Sequence, residues 1–476
     1  MFDVLVIGGG VVGATILREL TKYNLNVCLL EKESDVAMGQ SKANSGIVHA
    51  GFDAKEGSNK AKFNVLGNKM MKDYASELGV KYKNNGSLVV AYAEEEIEML
   101  KELKARGERN GVHELYIIDK AELKRLEPNI SDSAVGALLA KTGGIICPYE
   151  LTIASVGNAM DNGAKLLVDF EVASVEKCGD GFKVYASDGR VIDGKIVINC
   201  AGLNSAKISK LFGDDSFTVG GRKGEYILLD RESGNFVSHT IFKTPTEKGK
   251  GILVTQTVDG NILLGPTAEV VSDGSTTTSE EGLAFIRKTA NEMCSKVPTY
   301  NTITSFAGVR AYCDRHDFII ENSKVCKNLI NVAGIESPGL TSAPAIAKFV
   351  VEDLLSKIIT LSKNDSFNGK RTPDYFFKNL SIEEKNTLIK KDPRYGKIVC
   401  RCEEITEGEI VKAIHENPKA TTVDAVKRRV RAGMGRCQGG FCQPHVAEII
   451  ARELNISITE VTKSGKNSKL LVGKTK

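Results

Sequence analysis

The stretch Asp3-Val4-Leu5-Val6-Ile7-Gly8-Gly9-Gly10-Val11-Val12-Gly13 decides the fold of this 476-residue chain. Its first five residues form a short, mostly apolar run of the kind that is buried in a parallel sheet. The glycines have the spacing G-x-G-x-x-G, and they are followed by a segment with helical spacing (residues 14–23) and a second apolar run (residues 26–30). A strand, a tight turn, a helix and a second strand in this order predict a dinucleotide-binding unit.

Each glycine of this motif has its own physical role. Gly8 permits the tight turn, Gly10 lets a pyrophosphate approach the backbone, and Gly13 lets the helix lie close to the strand. The pyrophosphate then meets the positive N-terminus of the helix. Glu31 at the end of the second apolar run can accept the ribose hydroxyls and would repel a 2′-phosphate, and we count the adjacent Lys32 among the cofactor contacts.

The segment Gly39–Gly51 is rich in small and hydrogen-bonding residues, as expected for a loop that runs along a large cofactor. Ser41 and Asn44 are therefore candidate cofactor contacts. His49 lies among small residues at the end of this loop. From the residues alone, it is either a hydrogen-bonded core histidine or a functional group.

A second strand–turn–helix unit follows much later in the chain. An apolar run at Leu329–Ala333 leads through a turn into a helix predicted over residues 343–356, whose N-terminus is free to face an anion. The candidate cofactor contacts in this turn are Gly334, Gly339, Leu340 and Thr341. Two such units at opposite ends of the segment 1–360 favour FAD over NAD.

Four of the eleven cysteines lie in two close pairs near the C-terminus, namely Cys400 with Cys402 and Cys437 with Cys442. Four thiolates so arranged bind either an iron–sulfur cluster or a tetrahedral zinc, each pair holding one side of the centre. The C-x-C spacing and the glycines around the second pair favour a cluster wrapped closely by backbone. Zinc and unliganded thiols remain alternatives.

Five basic residues accompany the second cysteine pair. They either offset the charge of a thiolate-ligated cluster, form a docking face, or belong to a solvated helix face; they are Lys427, Arg428, Arg429, Arg431 and Arg436.

The composition excludes several classes of protein. Sixty-four basic and sixty acidic residues give a net charge of +4, which is too balanced to indicate nucleic-acid binding. No apolar run approaches the ~18–20 residues that a membrane helix needs, and no basic-then-apolar leader precedes the first strand. The clustered, odd number of cysteines suits a reducing compartment. We therefore expect a cytoplasmic protein without a membrane span, although a membrane-bound partner is compatible with it.

At the loop Gly39–Gly51 the chain resembles the D-amino-acid-oxidase-like flavoprotein family. Within that family it is similar to the soluble glycerol-3-phosphate oxidases and dehydrogenases, and L-2-hydroxyglutarate oxidases are near relatives. The likeness continues through Lys250–Val254, Asp259–Thr267 and Ser305–Arg310. The cysteine-rich stretch resembles bacterioferritin-associated-ferredoxin-like domains, which carry a [2Fe–2S] cluster.

The resemblance implies roles for individual residues. His49 would be the catalytic base, Ser45 its active-site neighbour, Arg310 the substrate-anion arginine and Lys250 a phosphate contact. It also implies that Val172 contacts the adenine through its backbone, and that the turn Ala201-Gly202 and the helix end near Thr341 lie against the flavin.

We thus expect an α/β chain (α+β overall) with a Rossmann-like FAD-binding domain, an inserted antiparallel-sheet substrate domain and a small, mostly helical [2Fe–2S] domain. The predicted ranges are 1–360 for the flavoenzyme (FAD-binding parts 1–80, 145–215 and 305–360; substrate-domain parts 81–144 and 216–304), 361–396 for a linker, 397–460 for the cluster domain and 461–476 for a loosely ordered basic tail.

The function implied by the resemblance is oxidation of sn-glycerol 3-phosphate to dihydroxyacetone phosphate by hydride transfer to FAD. Electrons would then pass through the cluster to a redox partner protein, either a flavoprotein or an iron–sulfur subunit. The alternatives are a dehydrogenase for L-2-hydroxyglutarate or another 2-hydroxy acid, an amine-oxidising enzyme, and a non-catalytic electron-transfer subunit of a larger complex.

Overall fold

The computed structural model describes residues 1–245, 251–272, 274–371 and 377–473. The strands of the first 200 residues are β1 (Phe2–Ile7), β2 (Val27–Leu30), β3 (Ile47–Val48), β4 (Tyr82–Lys83), β5 (Ser87–Ala91), β6 (Leu115–Asp119), β7 (Gly136–Ala140), β8 (Gly144–Ile146), β9 (Lys165–Leu167), β10 (Val172–Cys178), β11 (Gly181–Ala186) and β12 (Val191–Asn199). Those that follow are β13 (Val219–Leu229), β14 (Thr240–Lys243), β15 (Leu253–Gln256), β16 (Ile262–Gly265), β17 (Glu269–Val271), β18 (Thr302–Cys313), β19 (Ile319–Asn322), β20 (Leu329–Ala333), β21 (Ile398–Cys400) and β22 (Ile405–Thr406).

The α-helices are α1 (Val11–Leu20), α2 (Asn59–Glu77), α3 (Glu96–Arg109), α4 (Lys120–Leu126), α5 (Pro148–Asp161), α6 (Ser205–Leu211), α7 (Glu280–Met293), α8 (Gly339–Phe349), α9 (Ile382–Lys391), α10 (Glu407–His415), α11 (Val423–Val430) and α12 (Gln443–Leu454). None of the helices in the described part of the chain has the length and apolar character needed to cross a bilayer.

The first sheet has the strand order β10-β11-β12-β1-β2-β9, with β20 beside β12 and β19 beside β20. The strands β20, β12, β1, β2 and β9 are parallel, whereas β10, β11 and β19 join the sheet by antiparallel pairing. β1 lies between β2 and β12 and pairs in parallel with both. The central strands are fully buried because α1, α5 and α8 contribute to a shared apolar core that includes Val4, Ile16, Val156 and Ile346. The predicted Rossmann-like domain is confirmed.

The second sheet has the order β17-β13-β16-β15-β14-β5-β7-β6, and β18 pairs with β13. It is antiparallel except for β14, which runs parallel to β5. The sequence places Asp259-Gly260 between two apolar runs, which predicts a hairpin there, and β15 and β16 form this hairpin. The inserted antiparallel domain is thus confirmed. β18 begins at Thr302 and pairs with β13 along its length, so the predicted FAD-binding part 305–360 begins within a strand of this sheet.

The C-terminal part is a small helical unit, as predicted. The hairpin of β21 and β22 and the helices α10, α11 and α12 enclose an apolar core that includes Ile410, Val426 and Ile450. The preceding segment, predicted to be a linker, contains α9, and its residue Phe377 is buried.

Two further local predictions need correction. The basic tail is not loose where it is described: Val461 is buried, the backbone N–H of Asp424 donates to the Lys463 carbonyl, and the Ser34 hydroxyl donates to the Ser464 carbonyl at 2.8 Å. α8 begins at Gly339 rather than at residue 343, directly after its N-cap Pro338, so Pro344 lies inside the helix.

Candidate active site and cluster site

The glycines of the N-terminal motif lie where the backbone leaves no room for a side chain. Gly8 has φ +111°, and a Cβ there would be 2.4 Å from the carbonyl oxygen of Cys200. A Cβ on Gly13 would be 2.0 Å from the carbonyl oxygen of Gly8. The turn therefore brings β1, β12 and the start of α1 together, and it leaves the helix N-terminus facing the edge of the sheet where a pyrophosphate would bind.

Glu31 and Ser41 complete this turn. The Glu31 carboxylate accepts hydrogen bonds from the backbone N–H groups of Gly9 at 2.6 Å and Glu33 at 2.9 Å. Burial raises the pKa of Glu31, and these two N–H groups oppose that shift. The Ser41 hydroxyl accepts from the backbone N–H of Val11 at 2.8 Å, while Lys32 pairs with Glu33 at the surface.

The other predicted cofactor contacts lie near the same edge of the sheet. Ala201-Gly202 follows β12 and Gly334 follows β20, so both turns meet Gly8 at the carboxyl ends of parallel strands, where α/β sheets bind ligands. Gly202 has φ +56° and open space around its missing Cβ. Val172 begins β10, close to the Phe170 N–H that donates to the Glu31 carbonyl at 2.8 Å. These residues fit an extended dinucleotide such as FAD.

Asn44 shapes the loop that leads to His49. Its side-chain amide donates to the Gln40 carbonyl at 3.0 Å, and its side-chain oxygen accepts from the Gly46 N–H at 2.9 Å. A Cβ on Gly308 of β18 would be 2.0 Å from the carbonyl oxygen of Ala43. The loop is therefore pressed against the antiparallel sheet.

His49 follows β3, and both its backbone N–H and its backbone carbonyl are hydrogen-bonded to side chains. Its backbone N–H donates to the Thr341 hydroxyl at 2.9 Å, and its carbonyl accepts from the side-chain amides of Asn64 at 2.7 Å and Asn68 at 3.1 Å. Its ring nitrogen Nε2 lies 3.3 Å from the Ser337 hydroxyl. The imidazole is half-buried, so it is both positioned and reachable.

Arg310 and Ser45 meet at Tyr226. The Ser45 hydroxyl is hydrogen-bonded to the Tyr226 side chain; burial raises the pKa of Tyr226, and the Arg310 charge and this hydrogen bond oppose the shift. Arg310 Nη2 donates to the Thr267 carbonyl at 2.8 Å. The Arg310 Nε is buried and has no hydrogen-bond partner within the described ranges.

Arg222 is the neighbour of Arg310 across the strand pair. The two residues stand directly opposite each other on β13 and β18, so their side chains share one face of the sheet. Like charges in this position are unfavourable without an anion to neutralise them. The Glu336 carboxylate is 3.7 Å from the Arg222 guanidinium and is already paired with Lys60 at 2.8 Å. Lys250, the predicted phosphate contact, lies outside the described residues.

The four C-terminal cysteines come together, but not in the pairs expected from their spacing. Cys402 Sγ lies 3.6 Å from Cys437 Sγ, and Cys400 is hydrogen-bonded to Cys442. Each spatial pair thus takes one residue from each motif, because the hairpin of β21 and β22 lies alongside the loop that precedes α12. Cys400 and Cys442 are buried, whereas Cys402 is exposed.

The arrangement of the sulfurs discriminates between metals. No three of the four sulfurs lie within 4.8 Å of one another. In the described part of the chain, the one group of three or more metal-binding side chains that close is Cys147, Glu150 and Asp259. A zinc with Zn–S bonds of about 2.3 Å would hold four sulfurs about 3.8 Å apart. Two separate sulfur pairs instead fit two metal ions.

Backbone N–H groups point at the sulfurs, as expected for thiolate ligands. The pKa of Cys400 is lowered to about 6 by its hydrogen bond with Cys442 and by the N–H groups of Gly433 and Glu403. Glycine is required in this wrapping: a Cβ on Gly435 would be 2.3 Å from the Cβ of Cys402. The site fits a [2Fe–2S] cluster held by all four cysteines.

Residues 3–353 match the family of FAD-dependent oxidoreductases known as DAO. The chain belongs to this family. Residues 398–452 of this FAD-dependent oxidoreductase match the BFD-like [2Fe-2S] binding domain. The predictions of an FAD-binding domain and a cluster-binding domain are thus confirmed.

Three relatives of this oxidoreductase illustrate the likeness. A glycerol 3-phosphate dehydrogenase of Caloramator mitchellensis is 51% identical, with 100% of this chain and 99% of that protein covered. A glycerol 3-phosphate oxidase of Mycoplasma genitalium is 34% identical over 75% of this chain and 95% of its own length. The dithionite-reduced L-alpha-glycerophosphate oxidase of Mycoplasma pneumoniae, solved with FAD bound, is 31% identical with a TM-score of 0.74, covering 78% of this chain and 98% of its own.

The cysteine assignment in this oxidoreductase is testable through iron. We expect Cys402→Ser to lower iron and acid-labile sulfide well below the two irons per chain expected for the wild type, because a serine hydroxyl is a weaker ligand for iron than a thiolate. The FAD content should stay unchanged, because the flavin domain does not depend on Cys402. Metal analysis and the visible spectrum of anaerobically purified protein measure this. Cys178→Ser, at another exposed cysteine, is the matched control. Stoichiometric zinc in place of iron would contradict the assignment.

Most of the basic residues near the second cysteine motif of the oxidoreductase belong neither to a solvated face nor to a docking face. Arg428, Arg429 and Arg431 are buried. Arg428 and Arg429 both bind the Asp35 carboxylate, at 2.6 Å and 2.9 Å, and Arg431 binds Asp259 and Glu403. They anchor the cluster domain to the flavoenzyme. Arg436 is exposed and pairs with Asp230 and Glu232.

Sequence reasoning missed several residues of the site. Tyr226, Arg222 and Ser337 contribute through cross-strand register and loop packing, for which no local motif exists. The sequence indicated Asp35 only weakly: it is an acidic residue four positions after Glu31, and the dinucleotide motif does not account for it. Asp259 was recognised as a turn residue, and its second role as an ion-pair partner depends on the cluster domain.

Proposed function

We propose that this flavoenzyme oxidises sn-glycerol 3-phosphate to dihydroxyacetone phosphate and passes the electrons through its own [2Fe–2S] site to a partner protein. The observation that carries the substrate is the pair Arg222 and Arg310, which stand side by side on one sheet face. The Arg310 Nε is buried and has no hydrogen-bond partner among the described residues. The similarity to named glycerol 3-phosphate enzymes over the flavin part supports the same substrate.

A phosphate is the anion that best suits two arginines. Its dianionic form offers three oxygens, so each planar guanidinium can donate parallel charged hydrogen bonds to it. A phosphate here would also remove the repulsion between Arg222 and Arg310 and satisfy the Arg310 Nε. The predicted third cation, Lys250, remains a prediction.

His49 is positioned to take a proton. A glycerol 3-phosphate held by its phosphate presents the C2 hydroxyl a short distance away, and the His49 imidazole is fixed through Thr341, Asn64 and Asn68. When bound, FAD supplies the two-electron acceptor for the C2 hydride, and a [2Fe–2S] cluster supplies a one-electron carrier. Loss of that hydride and of the hydroxyl proton to His49 converts the alcohol to the ketone, so each turnover releases two electrons and two protons.

The burial of the cysteines gives the electron route a direction. Cys400 and Cys442 lie inside the protein, and the Gly433 N–H donates to Cys400. The next residue, Met434, lines a cavity together with Ser45 of the flavin loop. Cys402 is exposed, and Phe441, which is 83% exposed, lies in the loop that carries Cys437, the sulfur neighbour of Cys402. Electrons would enter near the buried pair and leave to a one-electron acceptor protein near the exposed pair.

The main competing substrate class is a 2-hydroxy acid such as L-2-hydroxyglutarate. One of its two carboxylates would also bind Arg310, but its two charges lie at opposite ends of a five-carbon chain, whereas a phosphate places two charges on one group that can face both arginines. Amine oxidation is less compatible with the site, because two neighbouring guanidinium groups would repel a substrate ammonium.

The decisive experiment is an anaerobic titration of the purified protein. Glycerol 3-phosphate should bleach the flavin absorbance and then reduce the cluster, while equal concentrations of L-2-hydroxyglutarate and of glycerol should leave both spectra unchanged. If L-2-hydroxyglutarate alone bleached the flavin, the substrate assignment would be wrong. If only a reduced partner protein bleached it, the chain would be an electron-transfer subunit.

The arginine assignment makes its own prediction. We expect Arg310→Ala to raise KM for glycerol 3-phosphate by about 10- to 150-fold, because a charged hydrogen bond is worth roughly 1.5–3 kcal/mol. Steady-state kinetics with an artificial acceptor measures this. Arg315→Ala, which removes an exposed arginine paired with Glu321, is the control and should keep the wild-type KM. An unchanged KM in Arg310→Ala would remove that residue from the phosphate site.

A further inference from the structure

A buried row of alternating charges connects the antiparallel sheet with the cluster loop. Lys81 Nζ lies 2.6 Å from one oxygen of Asp259, and Arg431 Nη1 lies 2.6 Å from the other. Arg431 Nε lies 2.9 Å from the Glu403 carboxylate, which also binds Arg231. Arg431 is 5% exposed and Glu403 1% exposed. Charges this deeply buried are weakly screened, so each one strongly affects its surroundings.

Arg431 is linked to both cysteine motifs, through its ion pair with Glu403 and through its position in the chain. Its partner Glu403 directly follows Cys402 in the chain. Arg431 itself lies two residues before Gly433, whose N–H donates to Cys400. Arg431 adopts φ +65°, a left-handed conformation that is uncommon for a residue other than glycine. The guanidinium pairs thus hold a strained backbone where the loop turns towards the sulfurs.

The Asp259 end of this row of charges lies near the loop that carries Ser45. Asp259 lies in the turn between β15 and β16, and this turn lines a cavity of about 290 Å³. Ser45 of the flavin loop lines the same cavity, as do Arg431 and Met434 of the cluster loop. The Tyr149 hydroxyl closes one wall by donating to Met434 Sδ at 3.5 Å. Flavin loop and cluster loop therefore face each other across a single cavity.

We propose that Arg431 is a positioning residue for electron transfer: it fixes the cluster loop against the flavin side and, through its charge, raises the reduction potential of the cluster. This inference rests on the proposed electron route from flavin to cluster. Reduction adds one electron, and hence one negative charge, to the cluster. The buried Arg431 cation stabilises that charge, whereas the Asp259 carboxylate opposes it. The two residues should therefore shift the potential in opposite directions.

The test compares Arg431→Met, Arg431→Lys and Asp259→Asn with the control Arg436→Met. Arg436 lies in the same loop and pairs with the same domain, but its side chain is 61% exposed, so solvent screens its charge. Three quantities are measured on the holoenzyme: iron and sulfide content, the cluster midpoint potential from a redox titration followed by electron paramagnetic resonance, and the rate at which photoreduced flavin passes an electron to the cluster.

We expect Arg431→Met to lower the midpoint potential and to slow the flavin-to-cluster step by roughly tenfold, a size typical of removing one member of a coupled network. Arg431→Lys keeps the positive charge but loses the bidentate geometry of the guanidinium. Its midpoint potential should therefore be close to that of the wild type, whereas its electron-transfer rate should stay below the wild-type rate. Asp259→Asn should raise the potential. Arg436→Met should leave both quantities near the wild-type values.

Several outcomes would overturn the proposal. These are an unchanged potential and rate in Arg431→Met with full cluster content, shifts of the same sign in Arg431→Met and Asp259→Asn, and equal shifts in Arg431→Met and Arg436→Met. If Arg431→Met fails to assemble, the other two variants decide: a potential far below that of the wild type in Arg431→Lys, or an unchanged or lowered potential in Asp259→Asn, overturns the proposal. Because photoreduction needs no substrate, a wrong substrate assignment leaves these results intact. Absence of the electron-transfer step in the wild type would overturn the electron route itself.

Discussion

Replacing His49 with alanine should lower kcat by about 10²–10⁴-fold while FAD stays bound, because a positioned general base contributes an effect of that size. The segment should keep its position without the imidazole, since the hydrogen bonds from the His49 backbone to Thr341, Asn64 and Asn68 remain in the variant. The measurement is the rate of flavin bleaching by saturating glycerol 3-phosphate under anaerobic conditions, together with the flavin-to-protein ratio.

The control for this variant is His113→Ala, at an exposed histidine outside the site. Its bleaching rate should equal that of the wild type. A role in binding alone would appear as a higher substrate concentration for half-maximal bleaching with an unchanged limiting rate. A wild-type limiting rate in His49→Ala would assign the proton to another group.

The parts of the fold that were predictable from sequence are those that local physics decides. The turn at Gly8 and Gly13 needs glycine because a Cβ would collide with backbone, and this need leaves a readable spacing. The hairpin at Asp259-Gly260 was readable for a similar reason, as a turn between two apolar runs. Each of these signals lies within a few residues of the structure it specifies.

The parts that were not predictable depend on how distant segments pair. Arg222 stands opposite Arg310 only because β13 and β18 adopt one register among several possible ones. The spacing of the cysteines shows that four thiolates are available, but it does not show that Cys402 pairs with Cys437. Arg428 and Arg429 look like exposed charges on a helix until Asp35, nearly 400 residues earlier, is placed against them.

Asp35 makes the strongest stability prediction. Its carboxylate is 3% exposed and is bound by Arg428 at 2.6 Å and by both terminal nitrogens of Arg429 at 2.9 Å. Asp35→Ala leaves two buried guanidinium groups without their counter-charge, and breaking a buried pair in this way costs about 3–5 kcal/mol. We expect a correspondingly lower free energy of unfolding for the step that releases the cluster domain, measured by urea titration of the cluster absorbance at pH 7. Asp132→Ala, which removes an exposed partner of Lys124, should have no measurable effect.

The same variant predicts a dependence on pH. Burial alone would raise the pKa of Asp35, but the charges and hydrogen bonds of Arg429 and Arg428 outweigh burial and hold the pKa below its ordinary value of 3.8. A carboxyl group whose pKa is lower in the folded than in the unfolded protein stabilises the fold fully above its unfolded pKa, and this stabilisation is lost as the pH falls through the folded pKa. The difference in unfolding free energy between the wild type and Asp35→Ala should therefore be constant from pH 7 down to about pH 5 and shrink below about pH 4. A difference that stayed constant to still lower pH would mean that the cost of Asp35→Ala comes from lost packing, and that the carboxylate charge does not hold the two domains together.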